Sequence, residues 1–213
     1  MLVATVNQGG IVALPRDVVS DGLLDQLEDF ETLLRSLTPA EWSTPSRCDG
    51  WTVADVAAHT VGSMADVVAG RFDGLGSPEV TAREVAERRG RSAIEVADEC
   101  AEVRKAAVGL LAVFDDTAWQ GPAPGGFDGT LGDGVEALWF DAFVHADDIR
   151  AALVRPCQTD PGLNGAVSHV NFVLGRQGWH GEAPAPTDAA MEWILVATGR
   201  RAGGPGSPPN IYA

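Results

Sequence analysis

Long stretches of three- and four-residue hydrophobic spacing, separated by breaks rich in Pro and Gly, leave this chain few folds other than a bundle of helices. From Val18 to Leu37, the residues Leu23, Leu27, Phe30, Leu34 and Leu37 share one helical face, while Asp25, Glu28, Asp29 and Arg35 fall elsewhere. Thr38-Pro39 stops that helix. A second helix is predicted over Val53–Phe72, started by Thr52 with Asp55 as a short-armed capping box and ended by Gly74, Gly76 and Pro78. The third and longest spans Ala82–Asp116, with Ala93, Ala97, Cys100, Ala107, Leu111 and Phe114 in one stripe. Its first part is so charged, from Arg83 to Arg91, that it is expected to stand in water. The fourth covers Leu131–Val154 and carries Val135, Leu138, Trp139, Ala142, Phe143, Ile149 and Leu153. No segment shows a convincing strand pattern, so the expected fold class is all-α, an antiparallel four-helix bundle over residues 17–155. A short, mainly helical C-terminal extension is expected over 156–202. Its two helices are Asp160–Gln177, with Asp160-Pro161 as cap and first residue, and Thr187–Thr198. Residues 203–213, rich in Gly and Pro, read as a flexible tail.

At 213 residues and 45 % hydrophobic content the chain has enough material for one real core. Its net charge of −15 argues against nucleic acid and against anionic lipid, since phosphate surfaces demand a basic face. No run approaches the length of a membrane helix, so no membrane partner is expected. The mildly apolar Met1–Pro15 is preceded by no Lys or Arg and reads as an N-terminus and not a signal peptide. Three widely spaced cysteines, Cys48, Cys100 and Cys157, with no CxxC pair, fit a reduced, cytoplasmic protein, expected as a monomer or homodimer.

Of four histidines, two fall within bundle helices on or near the apolar face: His59 and His145. Asp141 lies four residues before His145, so both project from one side of the fourth helix. With His59 from a facing helix they make a two-His, one-carboxylate set that leaves positions open for water or substrate, as catalytic metal sites do. Each residue has a plainer reading beside this one: a packed histidine, or a surface Asp–His pair among the nearby acids Asp133, Glu136, Asp147 and Asp148. Asp148 reads equally as an acceptor orienting a ligand and as an exposed acid. Arg200 reads as a carboxylate binder or as a cation satisfying a helix C-terminus. Trp139, Phe140 and Phe143 line a pocket or fill the core, with core favoured, and Cys48 is either a nucleophile or a packed loop residue.

The segment Thr38-Pro39-Ala40-Glu41-Trp42, then Pro45-Ser46-Arg47-Cys48-Asp49-Gly50-Trp51-Thr52-Val53-Ala54-Asp55-Val56-Ala57-Ala58-His59, closely resembles the N-terminal signature of the mycothiol-dependent maleylpyruvate isomerase family, within the DinB-like superfamily. A second stretch, Asp141-Ala142-Phe143-Val144-His145-Ala146-Asp147-Asp148-Ile149, resembles a family helix that usually reads Glu-x-x-x-His followed by Trp-Asp. Here Asp141 replaces the Glu and Asp147 stands where the Trp often does. A weaker match runs from Trp193 to Arg200, so the resemblance spans about residues 20 to 200.

The resemblance implies a DinB-like four-helix bundle holding a divalent metal, usually zinc with nickel or iron as alternatives. The ligands by position are His59, Asp141 and His145. It implies mycothiol as thiol cosubstrate, an actinobacterial source, and a small-molecule electrophile as the other substrate. The expected function is thus a metal- and thiol-dependent isomerase or transferase. The alternatives are a metalloenzyme of the same fold doing hydrolysis or cyclisation in a biosynthetic pathway, or a non-catalytic metal-binding protein. Asp is one methylene shorter than Glu, so at Asp141 a metal is expected to shift toward the fourth helix, or a water to bridge.

Overall fold

The computed structural model describes residues 13–158 and 162–213. Its helices are α1 (Arg16–Arg35), α2 (Pro39–Trp42), α3 (Val53–Val68), α4 (Pro78–Arg88), α5 (Ala93–Ala112), α6 (Asp116–Gln120), α7 (Leu131–Ala152), α8 (Gly162–Arg176) and α9 (Asp188–Ala197). The described residues hold no strand beyond two isolated bridges, Pro45 to Thr52 and Pro122 to Thr130. None of their helices is long and apolar enough to cross a membrane. Residues 1–12 of the Met1–Pro15 stretch read as an N-terminus, and the expected Asp160-Pro161 cap, lie outside the described residues.

Four helices form the bundle: α1 packs on α5 and α7, and α3 packs on the same two. Their apolar stripes close one core containing Leu23, Leu27, Phe30, Leu34, Val56, Val61, Val96, Cys100, Trp139 and Ile149. Backbone entry into α3, α5 and α7 is set by side chains. The expected capping box of Thr52 and Asp55 starts α3, and the same device at Thr130 and Asp133 starts α7. The loop between α2 and α3 is stapled by Ser46 N to Trp51 O at 2.8 Å and Val53 N to Thr44 O at 2.9 Å. It is therefore ordered backbone, with fixed positions for Arg47 and Cys48.

One expectation is corrected at the third helix. The continuous Ala82–Asp116 helix is two helices, α4 and α5, that turn at Gly90, whose φ of +84° no β-carbon-bearing residue adopts cheaply. Ser92 and Glu95 then form a capping box that begins α5 afresh. The charged segment stands only partly in water, with Glu87, Arg89 and Arg91 exposed. It folds back on α3, with Glu84 and Arg88 buried. That approach is close: a β-carbon at Gly62 of α3 would lie 2.7 Å from Cβ of Glu84. Burial of these charges is tolerable because Arg88 meets Glu99 at 2.6 Å and donates to the Glu84 carbonyl at 3.1 Å.

The segment expected as a flexible tail, 203–213, is anchored at one residue. Ile211 is buried, its N–H donates to the Ala197 carbonyl at 2.8 Å, and its own carbonyl accepts from Gln177 at 3.0 Å. It joins a second apolar cluster, with Phe140, Phe143, Leu163, Val170, Leu174 and Ile194, in which α8 packs on α7 and α9 on α8. The result places Tyr212 beside the bundle.

Glu136 of α7 is buried at this second interface, and desolvation pushes its carboxyl up to about 7, against an opposing hydrogen bond from Ser168. A raised carboxyl pKa destabilises the folded state as pH rises through the unfolded value near 4.5 toward 7. Glu136→Gln is therefore expected to unfold at higher denaturant than wild type at pH 8, by about 3 kcal/mol, with the gap closing by about pH 4.5. Urea titrations at the two pH values check this, and equal stability at pH 8 overturns it.

Candidate metal centre

Packing of α3 on α7 sets His59 against the pair that i, i+4 spacing places on α7, Asp141 and His145. His145 Nε2 lies 3.4 Å from one Asp141 oxygen, and His59 Nε2 lies 3.9 Å from the other. The two imidazoles meet edge to face, with ring centroids 5.2 Å apart. Ligating atoms of all three side chains lie within 4.8 Å of one another.

The other nitrogen of each ring is tied down. His59 Nδ1 is 2.7 Å from Glu84 Oε2, and His145 Nδ1 is 2.8 Å from Asp148 Oδ2. Both carboxylates are buried. In the neutral tautomer with its proton on Nδ1, donated to the carboxylate behind, each ring offers its Nε2 lone pair beside Asp141, the form a bound cation would select. This is the donor set for a divalent ion: two imidazole nitrogens, one carboxylate, and an open side. The Asp141 carboxylate, with one oxygen toward each Nε2, already bridges the two rings, so the shorter side chain reaches between them.

Electrostatics follow from this packing. Burial alone would raise Asp141, yet the charge and hydrogen bond of His145, with His59 and Arg200 behind, bring it down to about 2. Burial likewise opposes a charged His145, but Asp141 and Asp148 raise it well above its ordinary value. Asp148 has no exposed surface, and desolvation would raise it. It is instead held far below the usual carboxylate range by Arg200 and His145. It accepts Arg200 Nε at 2.8 Å and Nη2 at 2.7 Å, and also Arg47 Nε and, at 3.3 Å, the Cys48 thiol. A second group of potential ligands, Cys48, His145 and Asp148, is thus already neutralised by two guanidinium groups and offers a cation little.

Of the residues singled out in the sequence, the structure brings together His59, Asp141, His145, Asp148 and Arg200. Trp139 stands apart. It is 1 % exposed, with its ring against Gly22 and Gly165, and with Phe140 and Phe143 it belongs to the core. Asp147 is also buried and pairs with Arg47. Glu84, Arg47 and Tyr212 were missed. Glu84 looked like part of a solvated run, and its contact with His59 spans a loop and 25 residues. Tyr212 sat in a tail read as loose.

Beside these residues opens a cavity of about 1170 Å³, with His59, Asp141, His145, Arg200 and Tyr212 in its lining and mainly apolar side chains elsewhere. Residues 23–150 match the family described as the mycothiol maleylpyruvate isomerase N-terminal domain. The chain belongs to that family. Two solved structures, of the mycothiol-dependent maleylpyruvate isomerase and of a histidine-to-alanine variant of it, share the fold. Each is 16 % identical at a TM-score of 0.56, over 80 % of this chain and 75 % of the other. No curated protein matches the sequence.

Asp148→Asn tests the hub of the site. Removing the charge leaves the buried Arg200 guanidinium without its carboxylate and Arg47 with Asp147 alone, so the variant is expected to lose about 3 kcal/mol at pH 7. A depressed carboxyl pKa contributes stability above its unfolded value and loses it as pH falls through the folded one. The deficit should therefore shrink below about pH 4, as followed by denaturation of both proteins across pH.

Proposed function

We propose that this chain is an enzyme using a low-molecular-weight thiol of the mycothiol kind to isomerise, or transfer sulfur to, a small electrophile. In this reading one divalent ion, zinc in first place, is held by His59, Asp141 and His145. The observation that carries the reading is the convergence of two Nε2 atoms and one carboxylate at the polar part of a large cavity, each ring locked from behind by a buried acid. Membership of the family supports the thiol. When bound, the ion supplies the Lewis acidity that keeps a thiol deprotonated at neutral pH.

The chain's own residues do the rest. Glu84 and Asp148 hold the imidazoles in one tautomer and orientation. Arg200, fixed by Asp148, presents positive charge to an anionic group of either substrate. The apolar walls exclude water from the thiolate. Attack of sulfur on a conjugated double bond forms a sulfur–carbon bond and breaks the π bond. Rotation about the resulting single bond and loss of the same thiol then convert cis to trans. Loss of a different group leaves sulfur transferred.

Elemental mass spectrometry of the purified protein should find about one zinc or similar ion per chain, lost in His59→Ala and Asp141→Ala. Glu84→Gln is expected to retain the site with affinity reduced about 10- to 100-fold, read by chelator competition. Product formation should require added mycothiol. A wild-type chain that takes up no zinc, nickel or iron on titration overturns the metal reading. Metal-bound protein with thiol-independent turnover would point instead to hydrolysis or cyclisation.

A further inference from the structure

Tyr212, the chain's single tyrosine, lines the same cavity as His59, Asp141, His145 and Arg200 and has no role in the reading above. Its place there is built by the segment that follows α9. Asn210 packs on Gly199 so closely that a β-carbon at 199 would lie 2.6 Å from Asn210 Nδ2. The Tyr212 N–H donates to Asn210 Oδ1 at 3.0 Å. Ile211, between those two residues, is buried, and its backbone is held by the Ala197 carbonyl at 2.8 Å and by Gln177 at 3.0 Å. Arg200 beside Gly199 and Tyr212 beside Ile211 are therefore carried by one joint. Tyr212 is 61 % exposed, which sets its ring at the mouth of the cavity and not in its floor. The phenol answers to the polar end: desolvation and then the Asp141 charge raise its pKa, against Arg200 and His145, which lower it. At neutral pH it keeps its proton and is a hydrogen-bond donor.

In the thiol-enzyme reading the groups of the ligand set are all committed. The two Nδ1 atoms face Glu84 and Asp148, and both Nε2 atoms and Asp141 hold the ion that keeps the thiol ionised. When sulfur adds to a double bond conjugated with a carbonyl, its negative charge passes to the carbonyl oxygen. Donors aimed at that oxygen act more strongly on the transition state than on the bound substrate. Arg200 brings charge, but its Nε and Nη2 are already given to Asp148 at 2.8 and 2.7 Å. We propose that Tyr212 is a further catalytic residue of this site, its hydroxyl donating a hydrogen bond, beside Arg200, to the carbonyl oxygen that gathers charge as the thiol adds. Sulfur bonds to the β-carbon, the π electrons pass to the carbonyl oxygen, and the Tyr212 proton stays on its own oxygen. After rotation about the α–β single bond the electrons return and the same carbon–sulfur bond breaks, so no proton is gained or lost. The reaction, though not the binding of an enolate, rests on the thiol-enzyme reading.

The test compares the zinc-loaded full chain with Tyr212→Phe, which removes one oxygen and keeps the ring. Acetopyruvate, a diketo acid that ionises to a stable enolate, is the binding probe. Maleylpyruvate with mycothiol is the turnover probe. Because the chain has one tyrosine, an isotope label at tyrosine Cζ gives a single resonance. That resonance should shift when acetopyruvate binds the wild type. Tyr212→Phe should bind acetopyruvate at least about tenfold more weakly. Its kcat should fall about 100-fold with KM little changed. Zinc content and thermal midpoint should match the wild type. Equal acetopyruvate affinity in the two proteins, no affinity in either, or an unmoved resonance overturns the assignment. So does unchanged turnover in Tyr212→Phe. Loss of zinc or a lower thermal midpoint in that variant would make the residue structural and also overturns it. Weaker acetopyruvate binding in Tyr212→Phe, with no mycothiol-dependent turnover in either protein, leaves the donor standing and tells against the thiol reading alone.

Discussion

Asp148 has no contact with water, yet its carboxylate is shared by Arg200 from the segment after α9, Arg47 from the loop before α3, the Cys48 thiol of that loop, and His145 of its own helix. A buried carboxylate without such partners would protonate or disrupt the fold. With them it ties the signature loop, the central helix and the C-terminal segment to one point. The orientation of His145, the place of Arg200 in the cavity and the order of the loop all depend on that single charge. Segments that lie far apart in the chain are joined there, since residues 47, 148 and 200 meet at the same pair of oxygens.

The same logic operates on the other histidine. His59 is held by Glu84, a carboxylate brought in by a short helix folded against α3 and supported by the close approach at Gly62. Two imidazoles from two helices are thus each backed by a buried acid, and both present the free nitrogen to Asp141. Such preorganisation places the cost of ordering the site on folding, before any ligand arrives. The site is polar where these groups gather and apolar along most of the adjoining cavity, a division that separates the reacting atoms from the body of a substrate.

Much of the bundle was legible in the hydrophobic spacing. The stripes of α1, α3, α5 and α7 bury the residues that their periodicity picks out, and the capping box at Thr52 and Asp55 forms as its spacing requires. The convergence of Asp141 and His145 follows from helical geometry alone. The third helix was misread because charge density was taken as a sign of exposure. A single glycine at positive φ and a fresh capping box outweighed the continuity of the pattern, and the charges of α4 found partners across the fold.

Local pattern therefore determined which residues lie on which helical face, where most helices begin, and that Asp141 and His145 project from one side of α7. Tertiary structure alone decided that Glu84 stands behind His59, that Asp148 is a buried hub and not a surface acid, that Trp139 is core, and that the chain's end returns to the cavity. The reason is range. Helical periodicity and capping are set by neighbours three and four residues apart, whereas ion pairs between buried groups are set by which elements pack together, and nothing within one turn of the chain encodes that partner.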